Sequence, residues 1–160
     1  MTSPRRLLTN WQKFRRLARA DRLLLLQALI MLPLTSVALR LTGFRRWQVV
    51  LSQLGHRQPN NHADPENMRQ RSREIARMVR LATIHGPGRH KCLTEALVLW
   101  SLLRARGLEG ELRIGVHKSE REFQAHAWVT FAGIPLSGGD CDGWFVSFGH
   151  PIGVVKTELS

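Results

Sequence analysis

Apolar positions crowd the first quarter of the chain. Trp11, Phe14, Leu17 and Ala18 recur at helical spacing, with Lys13, Arg15, Arg16 and Arg19 elsewhere around the wheel. From Leu23 to Leu39, between Arg22 and Arg40, seventeen residues pass without a charge. That length sits at the lower edge of what crosses a bilayer, and Gln27, Pro33 and the Thr35-Ser36 pair weaken a spanning reading. Pro33 removes a backbone donor, so it is expected to end or kink the helix. The pattern therefore predicts two helices, about 10–31 and 34–42, buried against the domain or each other. A shallow seat of residues 11–42 on a membrane surface is the second reading and a true span the third.

Residues 55–67 form a polar Gly/Pro/Asn loop. Asp64-Pro65-Glu66 then reads as a helix start, with proline at the first helical position and acid in the first turn. The helix is expected over 65–84, with Ile75, Met78, Val79 and Ala82 as its apolar stripe. Its five arginines, Arg69, Arg71, Arg73, Arg77 and Arg80, read as a solvated face. Residues 93–106 are apolar nearly all round, which predicts a central buried helix closed by Gly107 at the C′ position. Beyond it the period changes from helix to strand. Leu112, Ile114 and Val116 alternate with polar or small neighbours over 111–117. After a charged turn at 118–122, Ala127, Val129 and Phe131 take one face of a second strand; His126, Trp128 and Thr130 take the other.

These elements make an α+β fold of 160 residues: a basic, apolar helical region over 1–54 and a core domain over 55–160. The net charge of +12 is unevenly held. Residues 1–80 carry sixteen Lys and Arg against four Asp and Glu, and residues 81–160 carry eight of each. A basic half suits a polyanionic partner. Nucleic acid is not expected, because no zinc-finger spacing, phosphate-binding Gly loop or aromatic-interleaved basic stripe is present. No apolar run with a small-residue cleavage site follows the basic start, and the two cysteines are far apart. A reduced, cytoplasmic protein with free thiols is expected, membrane-associated if the second reading of residues 11–42 holds.

Candidate chemistry gathers between His85 and Phe131. Cys92 follows a Gly-Pro-Gly-Arg-His-Lys loop and opens the apolar helix, where unpaired N–H groups and the positive dipole end favour a nucleophilic sulfur. A buried structural cysteine fits the local sequence equally well. His126 lies on a strand 34 residues later. A thiol at a helix start with a histidine on a neighbouring strand is the arrangement of papain-like and transglutaminase-like enzymes, although a lone strand histidine is more often structural. Cys141, between Asp140 and Asp142, lacks a helix start and is the weaker candidate. A zinc site from His90, Cys92, His126 and Cys141 has no paired-ligand spacing behind it, so no metal is expected.

Lys91-Cys-Leu at a helix start, Leu-Leu-Arg-Ala-Arg-Gly107 at its end, then Arg-Ile-Gly-Val116 and Ala-His-Ala-Trp-Val129 resemble the transglutaminase-like core of lasso-peptide leader peptidases. The basic apolar opening from Trp11 to Trp47 is similar to that family's N-terminal region. The resemblance implies a papain-like cysteine peptidase with Cys92 as nucleophile, His126 as base and no cofactor. Its substrate would be a lasso-peptide precursor, and its partners a separate leader-recognition protein and an ATP-dependent lasso cyclase. The same site could instead transfer acyl groups, or the chain could be a non-catalytic basic scaffold. The family's catalytic Asp falls twelve residues after the histidine, where this chain has Gly138. Asp140 shares strand parity with 138 and is the expected substitute, brought in by a bulge at Gly138-Gly139 or by a three-residue loop at 132–134. Asp142 is the next choice; the third member could also be absent.

Overall fold

A computed structural model describes residues 19–54, 64–88, 91–118, 123–137 and 146–147. Among the described residues, four helices precede a small antiparallel sheet. The first, α1 (Arg19–Thr42), runs unbroken through Pro33, so the expected division there does not occur. Packing accounts for it. Leu24, Ala28, Leu32 and Thr35, on both sides of the proline, are buried in the protein core. An interior proline costs about 3 kcal/mol, while each fully buried leucine contributes about 1.5–3 kcal/mol. Residues 10–18 of the expected helix lie outside the described residues.

Gly43, at φ 77°, turns the chain into α2 (Phe44–Leu54), a helix the apolar pattern did not announce. Phe44, Trp47 and Leu51, spaced three and four apart, hold it on the core. The next helix, α3 (Pro65–His85), begins as expected, with the Asp64 carboxylate accepting the Glu66 N–H at 3.4 Å. Its expected stripe of Ile75, Met78, Val79 and Ala82 is buried. Helix α4 (Cys92–Arg104) is the centre of the molecule, with every residue from Ala96 to Leu103 buried. Gly107 (φ 72°) closes it: the Leu108 N–H reaches Leu103 O and the Gly107 N–H reaches Arg104 O, both at 3.0 Å. This pair of bonds is the Schellman closure expected of glycine at C′.

The sheet has the order β3-β2-β1-β4, with all neighbours antiparallel. Its strands are β1 (Gly110–Lys118), β2 (Phe123–Phe131), β3 (Ile134–Pro135) and β4 (Val146–Ser147). Leu112 pairs with Val129 and Gly115 with His126, so these strands follow the expected alternation. The β2–β3 turn has two residues, Ala132 (φ 49°) and Gly133 (φ 77°), because Phe131 pairs with Ile134. The three-residue loop at 132–134 is thereby excluded. Two successive positive φ values match the twist of the flanking strands, which favours the shorter turn even with alanine in it.

The architecture is the expected α+β: helices on one face of a small antiparallel sheet, with an apolar helix at the front. Leu24, Leu32, Leu51, Met78, Leu97, Leu112 and Val129 share one core, so α1 and α2 are built into the same hydrophobic unit as α4 and the sheet.

Candidate active site

Cys92 is the first residue of α4 and is half-buried. Lys91 precedes it in extended conformation and supplies no capping oxygen. Its carbonyl accepts the N–H of Thr94 at 2.9 Å and of Glu95 at 3.2 Å, so the helical ladder starts with those two residues. The N–H groups of Cys92 and Leu93 precede any intrahelical acceptor and face outward from the helix end. A negative oxygen or sulfur held there would meet both those donors and the positive end of the dipole.

His126 sits in the middle of β2, opposite Gly115 on β1. A glycine across from an imidazole adds no side chain to the ring's neighbourhood. The ring stacks on Trp128, two residues along the same face, with centroids 6.1 Å apart and planes 15° from parallel. Trp128 is only 7% exposed, and the His126 Nε2 atom is shielded from solvent. This is a confined, oriented imidazole.

The relation between the two residues follows from the layer beneath them. Helix α4 rests on β2 and β1. Near its end, Leu103 meets the inner surface of Gly110, where Val129 also lies: a β-carbon built on Gly110 would stand 2.7 Å from Leu103 Cδ1 and 3.2 Å from Val129 Cγ1. From that junction, Cys92 is eleven helical residues back, about 16 Å at 1.5 Å per residue. Gly115, paired with His126, is five strand residues on, about 17 Å at 3.3 Å per residue. These are lengths along each element, measured from the same contact. Strand alternation sets them on different aspects of the layer, since Ala127 and Val129 take the α4 side and His126 and Trp128 the other.

The third member expected from the sequence, Asp140, lies outside the described residues, as do Gly138, Asp142, Cys141 and His90. The chain leading toward them departs from a regular ladder. The Leu136 N–H reaches Val129 O at 2.8 Å, but the Val129 N–H is taken at 3.2 Å by the Ser137 hydroxyl rather than by the Leu136 carbonyl. This local irregularity begins one residue before Gly138-Gly139. Sequence reasoning passed over Ser137, although a serine just before two glycines in a strand-ending segment is a recognisable signal for side-chain substitution of a backbone bond.

A half-buried cysteine opens the central helix, a histidine lies on a strand that this helix packs against, and the α+β arrangement is consistent with a transglutaminase-like fold. The sequence profile of the transglutaminase-like superfamily matches residues 31–144, from within α1 to beyond the described end of β3. The chain belongs to the transglutaminase-like superfamily. Its members are typically cysteine-dependent enzymes and include peptidases and acyltransferases. No curated protein and no solved structure matches the chain.

Proposed function

We propose that this protein is a cysteine peptidase that removes the leader from a lasso-peptide precursor, working with a separate leader-recognition protein and a lasso cyclase. The observation that carries the reading is Cys92 at the uncapped start of α4, packed on the strand that bears His126, in a chain of this superfamily. The substrate class comes from the similarity of the segments around Cys92, Gly107, Val116 and His126 to lasso leader peptidases.

In this mechanism His126 takes the thiol proton, and Cys92 Sγ attacks the scissile carbonyl carbon. The Cys92 and Leu93 N–H groups stabilise the oxygen that becomes negative. His126 returns the proton to the leaving amine as the C–N bond breaks, and water then resolves the thioester. Trp128 supports the ring by stacking. The twist of β2 must carry the His126 face round toward the start of α4, because the alternation of a flat strand would keep it away. Asp140 is assigned to the second imidazole nitrogen. A two-residue turn continued as a perfect ladder would put Gly139 opposite His126, so this assignment requires the departure that begins at Ser137.

The test is cleavage itself. Purified protein is mixed with a lasso precursor and its cognate leader-binding protein, and products are read by mass spectrometry. Scission at the leader–core junction, lost in Cys92→Ala, supports the proposal. An amine-acceptor adduct in place of the hydrolysed leader would make the enzyme an acyltransferase, and unaltered precursor with a thiol that alkylates no faster than a free cysteine would make it a scaffold.

A further inference from the structure

The side of α1 turned away from the core is as apolar as the side turned toward it. Leu23, Leu26, Ile30, Leu34, Val37 and Leu41 are 51–80% exposed. Their spacing of three and four residues gathers them into one stripe along the helix, about 27 Å long at 1.5 Å per residue. Six large side chains in one row greatly exceed the scattered apolar exposure of an ordinary soluble surface. On α2 the exposed face continues with Val49 and Val50. Between α1, α2 and the end of α4 opens a cavity of about 610 Å³, walled in part by Ile30, Leu34, Trp47, Leu51 and Leu102. Ile30 and Leu34 belong to both, so the apolar surface runs from the stripe into the fold.

The charges around it have one sign. Arg19, Arg40, Arg45 and Arg46 are exposed on α1 and α2. The one acid between residues 19 and 54 is Asp21, which lies 4.0 Å from Arg77 on α3. By length and composition α1 could cross a bilayer. Its other face forbids this in the folded protein, because Leu24, Ala28, Leu32 and Thr35 are buried within the fold. A helix with one face in a protein core and an apolar stripe on the other, rimmed by arginine, is suited to lie in the plane of an interface.

We infer that the outward face of α1, extended by α2, seats this protein on an anionic phospholipid membrane. The stripe enters the acyl boundary, and Arg40, Arg45 and Arg46 meet the headgroup phosphates. The inference is independent of the peptidase reading.

The full chain is tested by co-sedimentation with phosphatidylcholine vesicles and with mixed phosphatidylcholine–phosphatidylglycerol vesicles. Wild type is expected to sediment with the mixed vesicles and at least tenfold less with neutral ones. Leu26→Gln/Leu34→Gln/Leu41→Gln replaces exposed side chains only, and should retain the wild-type circular dichroism spectrum while losing vesicle binding. Arg45→Glu/Arg46→Glu should weaken binding to the anionic vesicles by at least about thirtyfold. Equal binding to both vesicle types, no binding to either, or unchanged binding by the triple variant would overturn the inference. So would a solution dimer, seen by light scattering and broken by the triple variant, in a protein that ignores vesicles, since a second copy would then cover the stripe.

Discussion

Replacing Gly110 by alanine tests the junction between the end of α4 and the sheet. The added methyl would stand 2.7 Å from Leu103 Cδ1 and 3.2 Å from Val129 Cγ1. Both side chains are fully buried, so Leu103 can admit the methyl only by turning within the packed core. Overpacking of this kind costs about 1–3 kcal/mol. Against it, exchanging glycine for alanine lowers the entropy of the unfolded chain by an amount equivalent to about 0.4–1 kcal/mol. The clash prevails by about 1–2 kcal/mol, and at roughly 2–4 °C per kcal/mol for a chain of this size the midpoint falls by about 2–8 °C. Thermal and urea melts followed by circular dichroism measure it. Leu103→Ala alone should cost about 2–5 kcal/mol by opening a cavity. The double variant should cost less than the sum by about 1–2 kcal/mol, because the new methyl enters the vacated space. A Gly110→Ala protein as stable as wild type, or more so, would refute the tight junction.

The remaining predictions concern the proposed chemistry and are read by mass-spectrometric cleavage assays with precursor and leader-binding protein. Cys92→Ala should abolish cleavage with an unchanged circular dichroism spectrum, while Cys141→Ala keeps most activity; activity in Cys92→Ala removes the nucleophile assignment. His126→Ala should lower the rate by about two to four orders of magnitude, as expected for a group that both takes and returns the proton. Replacing His85, His90 or His117 should cost far less, and an equally severe His90→Ala would move the base to another residue. Asp140→Asn should reduce turnover with little effect on KM, and Asp142→Asn should be mild. Equal, small effects of both would leave Cys92 and His126 as a dyad.

Local chemistry made much of this fold readable in advance. Asp64-Pro65 places the start of α3 because proline at the first turn and a carboxylate before it act within a few residues. Gly107 does the same for the end of α4, and simple alternation yields the faces of β1 and β2. Cys92 could be placed at a helix start because Gly86, Pro87 and Gly88 interrupt the helix before it. Pro33 misled because its local penalty is overruled by leucines buried on either side, which is a tertiary effect. Helix α2 falls in the helical region expected over 1–54 but was not delimited, because Arg45 and Arg46 interrupt its apolar pattern and its stripe has only three members. The register of residues 134–137 against β2 depends on a two-residue turn and on a serine hydroxyl replacing a backbone acceptor. Neither is fixed by residue type alone.

Helix α4 touches α1, α2, α3, β1 and β2. No peripheral element can be peeled away to expose it, so its central amides have no cheap local opening. Hydrogen exchange at Leu97 to Leu103 should therefore proceed through global unfolding, with protection equal to the full stability of the protein. Cys92, at the end of that helix, would then be anchored to the slowest-exchanging part of the molecule. Substrate entry would have to be governed by elements around α4 and not by movement of the helix itself.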